Sequence, residues 1–183
     1  MKAKFLASKE SYDGRQLGSL WAYREHDVQG DSILAWIGPC DVKTGELVDL
    51  EDAKAGDHIF APQMLHFIAE HFDLDLEAAI LRQYLLVGLA QDELNRPRHR
   101  VLRRGNDLHA GAGKLSVSIA TLTPVSSKIH FAINIDAKGA PVKTADLRQL
   151  KASPLKLARA VLKRYADDFN RMQGARSKVR GVA

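Results

Sequence analysis

Two runs of sequence decide how this chain folds: GKLSVSIAT at Gly113–Thr121 and KIHFAINID at Lys128–Asp136. In the first, Leu115, Val117 and Ile119 alternate with Lys114, Ser116 and Ser118. In the second, Ile129, Phe131, Ile133 and Ile135 alternate with Lys128, His130, Ala132, Asn134 and Asp136. Successive side chains of a strand point to opposite faces, so period two sends one set to a core and the other away from it. The intervening Thr123-Pro124-Val125-Ser126 predicts a turn, and hence an antiparallel hairpin. Pairing across that turn is expected to gather Lys114, Ser116, Ser118, His130 and Asn134 on one polar face. Ser116, Ser118 and Ala120 are small and leave space above the sheet. A floor of small residues with a lysine and a histidine at its rim is the pattern of a strand-lined ligand cleft. A solvated sheet face is the plainer alternative.

Outward from the hairpin, the pattern predicts further elements. Residues 3–7 read as an edge strand, and Leu17, Leu20, Trp21 and Arg24 have helical spacing. SILAWI at 32–37 reads as a buried strand stopped by Gly38-Pro39, and residues 41–57 as an acidic loop with at most a short helical turn. A helix is expected over 62–72, with Pro62 in its first turn and Met64, Leu65, Phe67 and Ile68 as its apolar side. A longer helix is expected over 76–94, with Leu76, Ala79, Ile80, Tyr84, Val87 and Leu94 at a period near 3.6, ended by Asn95-Arg96-Pro97. Residues 100–136 are strand-like and 137–153 form a loop. A last amphipathic helix over 154–172 carries Leu157, Val161, Tyr165 and Phe169 on one face. The order predicts an α+β fold, a mainly antiparallel sheet flanked by helices.

The chain has 183 residues, 45% hydrophobic and 27% charged, which suits one packed domain. Residues 1–173 are expected to form it, and 174–183 a basic mobile tail. The net charge of +5 hides a split: residues 1–95 hold 8 basic and 17 acidic side chains, residues 96–183 hold 19 and 5. A basic half suggests a surface for an anion or an acidic partner. The single cysteine, Cys40, excludes an internal disulfide framework and any cysteine-rich zinc module. The start has no apolar signal-peptide core, and no window nears 18 uninterrupted apolar residues, so a cytoplasmic protein without a membrane partner is expected.

Arg104-Gly105-Asn106-Asp107-Leu108, a short glycine turn, then Gly113-Lys114-Leu115-Ser116-Val117-Ser118-Ile119-Ala120 resembles the lipoate–protein ligase pattern, G-R-N-D-hydrophobic followed by K-I-S-G-S-A. Ile129-His130-Phe131 resembles the strand that carries H-G in that family. The match covers roughly residues 76–136. The whole chain, including VDLEDAKAGD at 48–57 and MLHFIAEHFD at 64–73, resembles a small prokaryotic family known as a domain of unknown function. That family has the fold of the biotin/lipoate ligase catalytic domain, related to class II aminoacyl-tRNA synthetases. The resemblance implies a small acyl or nucleotide-like ligand, with ATP and Mg as the cofactor of an adenylate route. It implies that Lys114 contacts the acyl-adenylate or the acyl carbonyl. A fixed ammonium there stabilises phosphate charge and a developing oxyanion. Arg104, Asn106, Asp107, Ser116, Ser118 and Asn134 would bind substrate, and His130 would orient it or act as a base. The chain departs from the ligases upstream: neither R-R-x-S-G-G-G nor G-R-G-R-x-G-R is present, and residues 38–57 carry only the scattered Gly38, Gly45 and Gly56. Val117 stands where K-I-S-G has its glycine.

Other signals weigh less. Ala110–Lys114 fails as a P-loop because Leu108 and Leu115 stand where glycine and serine or threonine are needed. His66 and Glu70 share a face at a spacing that matches no zinc motif, and no metal is expected. Cys40 beside a turn reads as a buried small residue before a nucleophile. Arg96, Arg98, Arg100, Arg103 and Arg104 form a basic run suited to phosphate, RNA or an acidic carrier protein. The absence of Phe, Tyr and Trp between 85 and 130 speaks against base stacking. Three readings therefore stay open: an acyl ligase or acyltransferase, a noncatalytic module binding a nucleotide-like metabolite or RNA, and a structural homodimer with a vestigial pocket.

Overall fold

The computed structural model describes residues 1–96, 99–139 and 142–182. The hairpin forms as expected. Strands β7 (Ser116–Leu122) and β8 (Ser127–Asp136) pair antiparallel. They belong to a five-stranded sheet with β1 (Lys2–Phe5), β2 (Ser32–Val42) and β3 (Ile59–His71), in the order β1-β2-β3-β8-β7. Among the described strands of this sheet, β1 and β2 pair parallel and the other neighbours antiparallel. A second, three-stranded sheet joins β4 (Val101–Arg104), β5 (Asp107–Ala110) and β6 (Gly113–Lys114).

The sheet separates two apolar layers. On one face, Ile33, Ala35, Leu65, Phe67, Ile129, Phe131 and Ile133 pack with α3 (Leu76–Asn95) and α4 (Pro154–Arg176). On the other, Leu34, Trp36, Met64, Ile68 and Ala132 are covered by Leu6, Tyr12, Leu17 and the short α1 (Trp21–His26). The helix α4 buries Leu157, Val161, Tyr165 and Phe169 as its spacing requires, and runs through Gly174 to Arg176. In α3 the buried residues are Ala79, Gln83, Leu86, Val87, Leu89, Ala90 and Leu94, so Leu76, Ile80 and Tyr84 lie on an exposed flank. The end of α3 at Asn95 agrees with the expected stop, but Pro97 lies outside the described residues.

Residues 62–72 are not a helix. Residues 62–71 belong to β3, the central strand, where Met64 through His71 are all buried, and Phe72 lies just beyond it. A short apolar run covered on both faces has no period that separates strand from helix. Pro62 sits where the β2–β3 ladder slips, between the pairs Gly38–Met64 and Cys40–Ala61, so its missing N–H interrupts no regular bond. The same irregularity lets β2 continue through Gly38-Pro39 to Val42, beyond its expected stop. Gly38 is required there, since a Cβ would stand 2.1 Å from Glu10 O.

The burial of β3 and β8 takes an ion pair with it. Glu70 accepts from Lys128 Nζ at 3.0 Å, from Ser126 Oγ at 2.8 Å and from Leu20 N at 3.0 Å. The side chains of Lys128 and Glu70 are 0% and 2% exposed. Burial holds the Lys128 ammonium below its ordinary pKa, and the Glu70 carboxylate pulls it back up. Removing one partner leaves a charge unanswered in the core. Glu70→Gln or Lys128→Met is therefore expected to lower unfolding free energy by about 3–5 kcal/mol in urea titration. The double variant Glu70→Gln with Lys128→Met removes both charges, keeps an oxygen for Leu20 N and Ser126 Oγ, and is expected to recover most of that loss.

Candidate functional site

A cleft opens beside β7 and β8, in two adjoining cavities of about 180 Å³ each. Lys114, Asp52, Ile59 and Val117 line both. Asn106, Asp107, Ser118, Ile119 and His130 border the first cavity. Ser116 and Asn134 border the second. Arg104 lines neither and is exposed at the end of β4. The other described arginines of the basic run, Arg96, Arg100 and Arg103, are also exposed and away from the cleft. Arg103 lies over the Tyr84 ring, and Arg98 is outside the described residues.

The expected single polar face does not form. Ser116 pairs opposite Ile133 and Ser118 opposite Phe131, so both serines share a face with the core set of β8. Ile119 instead pairs with His130, and Val117 with Ala132. The alternation breaks at Leu115, where the chain leaves the small sheet and enters the large one. Leu115 and Ser116 are both fully buried, Leu115 in the helix-side core. A one-residue change of phase exchanges the two faces of a strand. Ser116 Oγ accepts from Leu108 N, and Ser118 Oγ accepts from Gln83 and donates to Asn106 O. Both hydroxyls therefore fasten β7 to its neighbours. Val117 and Ile119 give the cleft an apolar floor instead.

Lys114 is held with care. Its N–H donates to Lys143 O and its carbonyl accepts from Ala145 N. Asn134 Nδ2 donates to both Lys114 O and Ala145 O. Asn134 thus ties the 143–145 segment to the lysine. Gly113 allows this approach, because a Cβ would meet Thr144 carbonyl atoms at 2.5–2.6 Å. The Lys114 ammonium lies 2.9 Å from Asp107 Oδ2 and is 38% exposed. One of its three donors is engaged there and the others remain for a ligand.

The acidic segment after β2 forms the opposite wall. Glu46, Leu47, Val48, Asp49 and Asp52 come from a 3-10 turn and from α2 (Leu50–Ala55) with its flanks. Asp49 caps α2 by accepting from Glu51 N and Asp52 N. Burial, then the Asp49 and Asp57 carboxylates, raise Asp52 above its ordinary pKa, against the pull of Lys114. The cleft is thus negative on balance.

His130 closes the inner end. It stacks on Tyr12 at 3.6 Å between ring centres and contacts His66 Nδ1 through Nε2 at 3.2 Å. His66 was legible only as a face-mate of Glu70. Burial pushes His66 down to about 4 and holds His130 well below its ordinary value, with His66 adding to the latter shift. Both are neutral at pH 7. Cys40 is fully buried, and burial pushes its thiol up to about 12, so it is not poised as a nucleophile. Among the described residues no three His, Cys, Asp or Glu side chains are arranged to hold a metal ion, and no helix is long and apolar enough to cross a membrane.

A family model described as a domain of unknown function, DUF366, matches residues 1–180. The chain belongs to the DUF366 family. The uncharacterized protein MJ0805 of Methanocaldococcus jannaschii is 35% identical over 180 residues, covering 94% of this chain and 81% of that one. A solved protein of unknown function from Pyrococcus horikoshi superposes with a TM-score of 0.94 at 33% identity, over 100% of this chain and 99% of that one. More distant structures show the fold. LipL1 of P. falciparum, in complex with lipoate, has a TM-score of 0.61 at 9% identity, over 100% of this chain and 65% of that one. The biotin protein ligase of Aquifex aeolicus, in complex with biotin and ATP, has a TM-score of 0.55 at 13% identity, over 93% and 69%. This DUF366 chain therefore has the biotin/lipoate ligase fold.

The buried histidines make stability depend on pH. Their native pKa values lie below the unfolded value, so the unfolded chain binds protons that the native chain refuses. Their contribution is complete above pH 6.5 and is lost as pH falls through the native values, about 4 for His66 and about 3 for His71. His66 alone contributes on the order of 3 kcal/mol. Urea midpoints are expected to fall steadily between pH 6.5 and 4, and less steeply in His66→Gln.

Proposed function

We propose that the cleft binds an activated small acyl group and that Lys114 polarises its carbonyl. The observation that carries this reading is the placement of Lys114. It borders both cavities above the apolar floor of Val117 and Ile119, with its backbone fixed by Asn134 and Gly113. An apolar floor suits a hydrocarbon tail, and a fixed ammonium suits the charge that develops on an acyl oxygen. The likeness in fold to proteins solved with lipoate and biotin supports the same ligand class.

The residues lining the cleft do not fit a triphosphate. Glu46, Asp49, Asp52 and Asp107 line the first cavity with Lys114, which is already paired with Asp107. That balance favours an acyl donor that arrives already activated, such as a thioester, over activation by ATP in place. In transfer to an acceptor amine, nitrogen attacks the thioester carbonyl and Lys114 stabilises the resulting oxyanion. The carbon–sulfur bond then breaks, and the departing thiolate takes the proton released by the nitrogen. The products are an amide and a free thiol. His130 is too weak a base for this proton and serves to orient the ligand.

Calorimetry with hexanoyl-pantetheine and with MgATP tests the proposal. The thioester is expected to bind, and Lys114→Ala to weaken it about tenfold, within the range for a charge-assisted contact. MgATP is expected to bind more weakly than the thioester. Equal thioester affinity in wild type and Lys114→Ala overturns the role of the lysine, and no thioester binding in either overturns the proposal.

A further inference from the structure

The two histidines at the inner end of the cleft are chemically unequal. His66 Nε2 lies 3.2 Å from Gly38 O, an atom that only accepts, so Nε2 carries the proton. A neutral imidazole then has its lone pair on the other nitrogen. His66 Nδ1 therefore accepts from His130 Nε2 across their 3.2 Å contact. This puts the His130 proton on Nε2 and leaves Nδ1 bare. No described residue hydrogen-bonds that nitrogen, although His130 is 3% exposed and borders the first cavity. The ring cannot easily turn away, because Tyr12 stacks on it at an interplanar angle of 10° and Trp36 stacks on His66 at 22°. That nitrogen is not among the buried atoms left without a partner, so it opens to the cavity, where a donor on a ligand can take the place of water.

We propose that His130 Nδ1 receives an N–H or O–H from the ligand of this cleft, and that His66, anchored on Gly38 O, is the positioning residue that fixes the required tautomer. The surroundings agree. Glu46, Asp49 and Asp52 on the opposite wall also present acceptor oxygens, so a donor-bearing polar end is matched on two sides. The ligand class is a small molecule with an apolar portion over Val117 and Ile119 and an amide, amine or hydroxyl hydrogen directed at His130. The inference rests on the cleft being the ligand site and not on acyl transfer taking place there.

Long-range proton–nitrogen NMR on the full chain at neutral pH reads the tautomer without any ligand. The expected result is a protonated Nε2 and a bare Nδ1 in His130. His66→Gln keeps an acceptor and a donor in place and is expected to preserve that state. His66→Leu removes the acceptor and is expected to give a mixture of tautomers. A protonated Nδ1 in the wild type, or an unchanged tautomer in folded His66→Leu, overturns the relay. Hexanamide and methyl hexanoate then test the ligand. Both offer a carbonyl to Lys114 and the same tail, and only the amide offers N–H. Hexanamide is expected to bind roughly fivefold more tightly, as one hydrogen bond allows, and to shift the His130 Nδ1 resonance. Equal affinities that both fall in Lys114→Ala overturn the donor role of the ligand and leave the acyl reading standing. Failure of both probes to bind overturns the ligand role of His130.

Discussion

Strands β3 and β8 are covered on both faces, and most of the structure follows from that constraint. A polar side chain on either strand has no water to turn to and must find a partner inside the protein. Glu70 finds Lys128, Ser126 and the Leu20 N–H. Asn134 finds the carbonyls of Lys114 and Ala145. His66 finds Gly38 O and His130. Each partnership fastens a different neighbour to the sheet: the N-terminal layer, the 143–145 segment and the bulged end of β2. The polar residues of the two central strands thus act as ties between layers, and His130 is where the last tie reaches the cleft.

The cleft sits where the two sheets meet. The chain crosses from β6 to β7 at Leu115, and the crossing places Lys114 in one sheet while its apolar floor lies in the other. Acidic residues after β2 supply the opposite wall. The charge split of the sequence therefore has a different meaning from the one its totals suggest. The basic half does contribute Lys114, but the described arginines of the 96–104 run are on the outside, and the acidic half supplies most of the charge in the site. A negative wall facing a paired lysine is a poor cradle for phosphates and a good one for a ligand with hydrogen atoms to donate.

The sequence by itself determined the α+β class, the β7–β8 hairpin, the helices α3 and α4 and the place of Lys114, because each rests on local periodicity, on turn chemistry or on a short motif. Gly113 beside Lys114 was legible too, though its reason, the approach of Thr144, was not. Tertiary structure alone decided three things. It made residues 62–71 a strand, since a run buried on both sides loses the alternation that marks one. It set the phase of β7, since one irregular residue at Leu115 exchanges the faces of all that follow, turning the hydroxyls of Ser116 and Ser118 to the helix side and the side chains of Val117 and Ile119 to the cleft. It also joined His66 to His130, which are 64 residues apart in the chain. Local sequence cannot encode that contact, because the register between β3 and β8 is fixed by the packing of whole strands and not by the residues that meet.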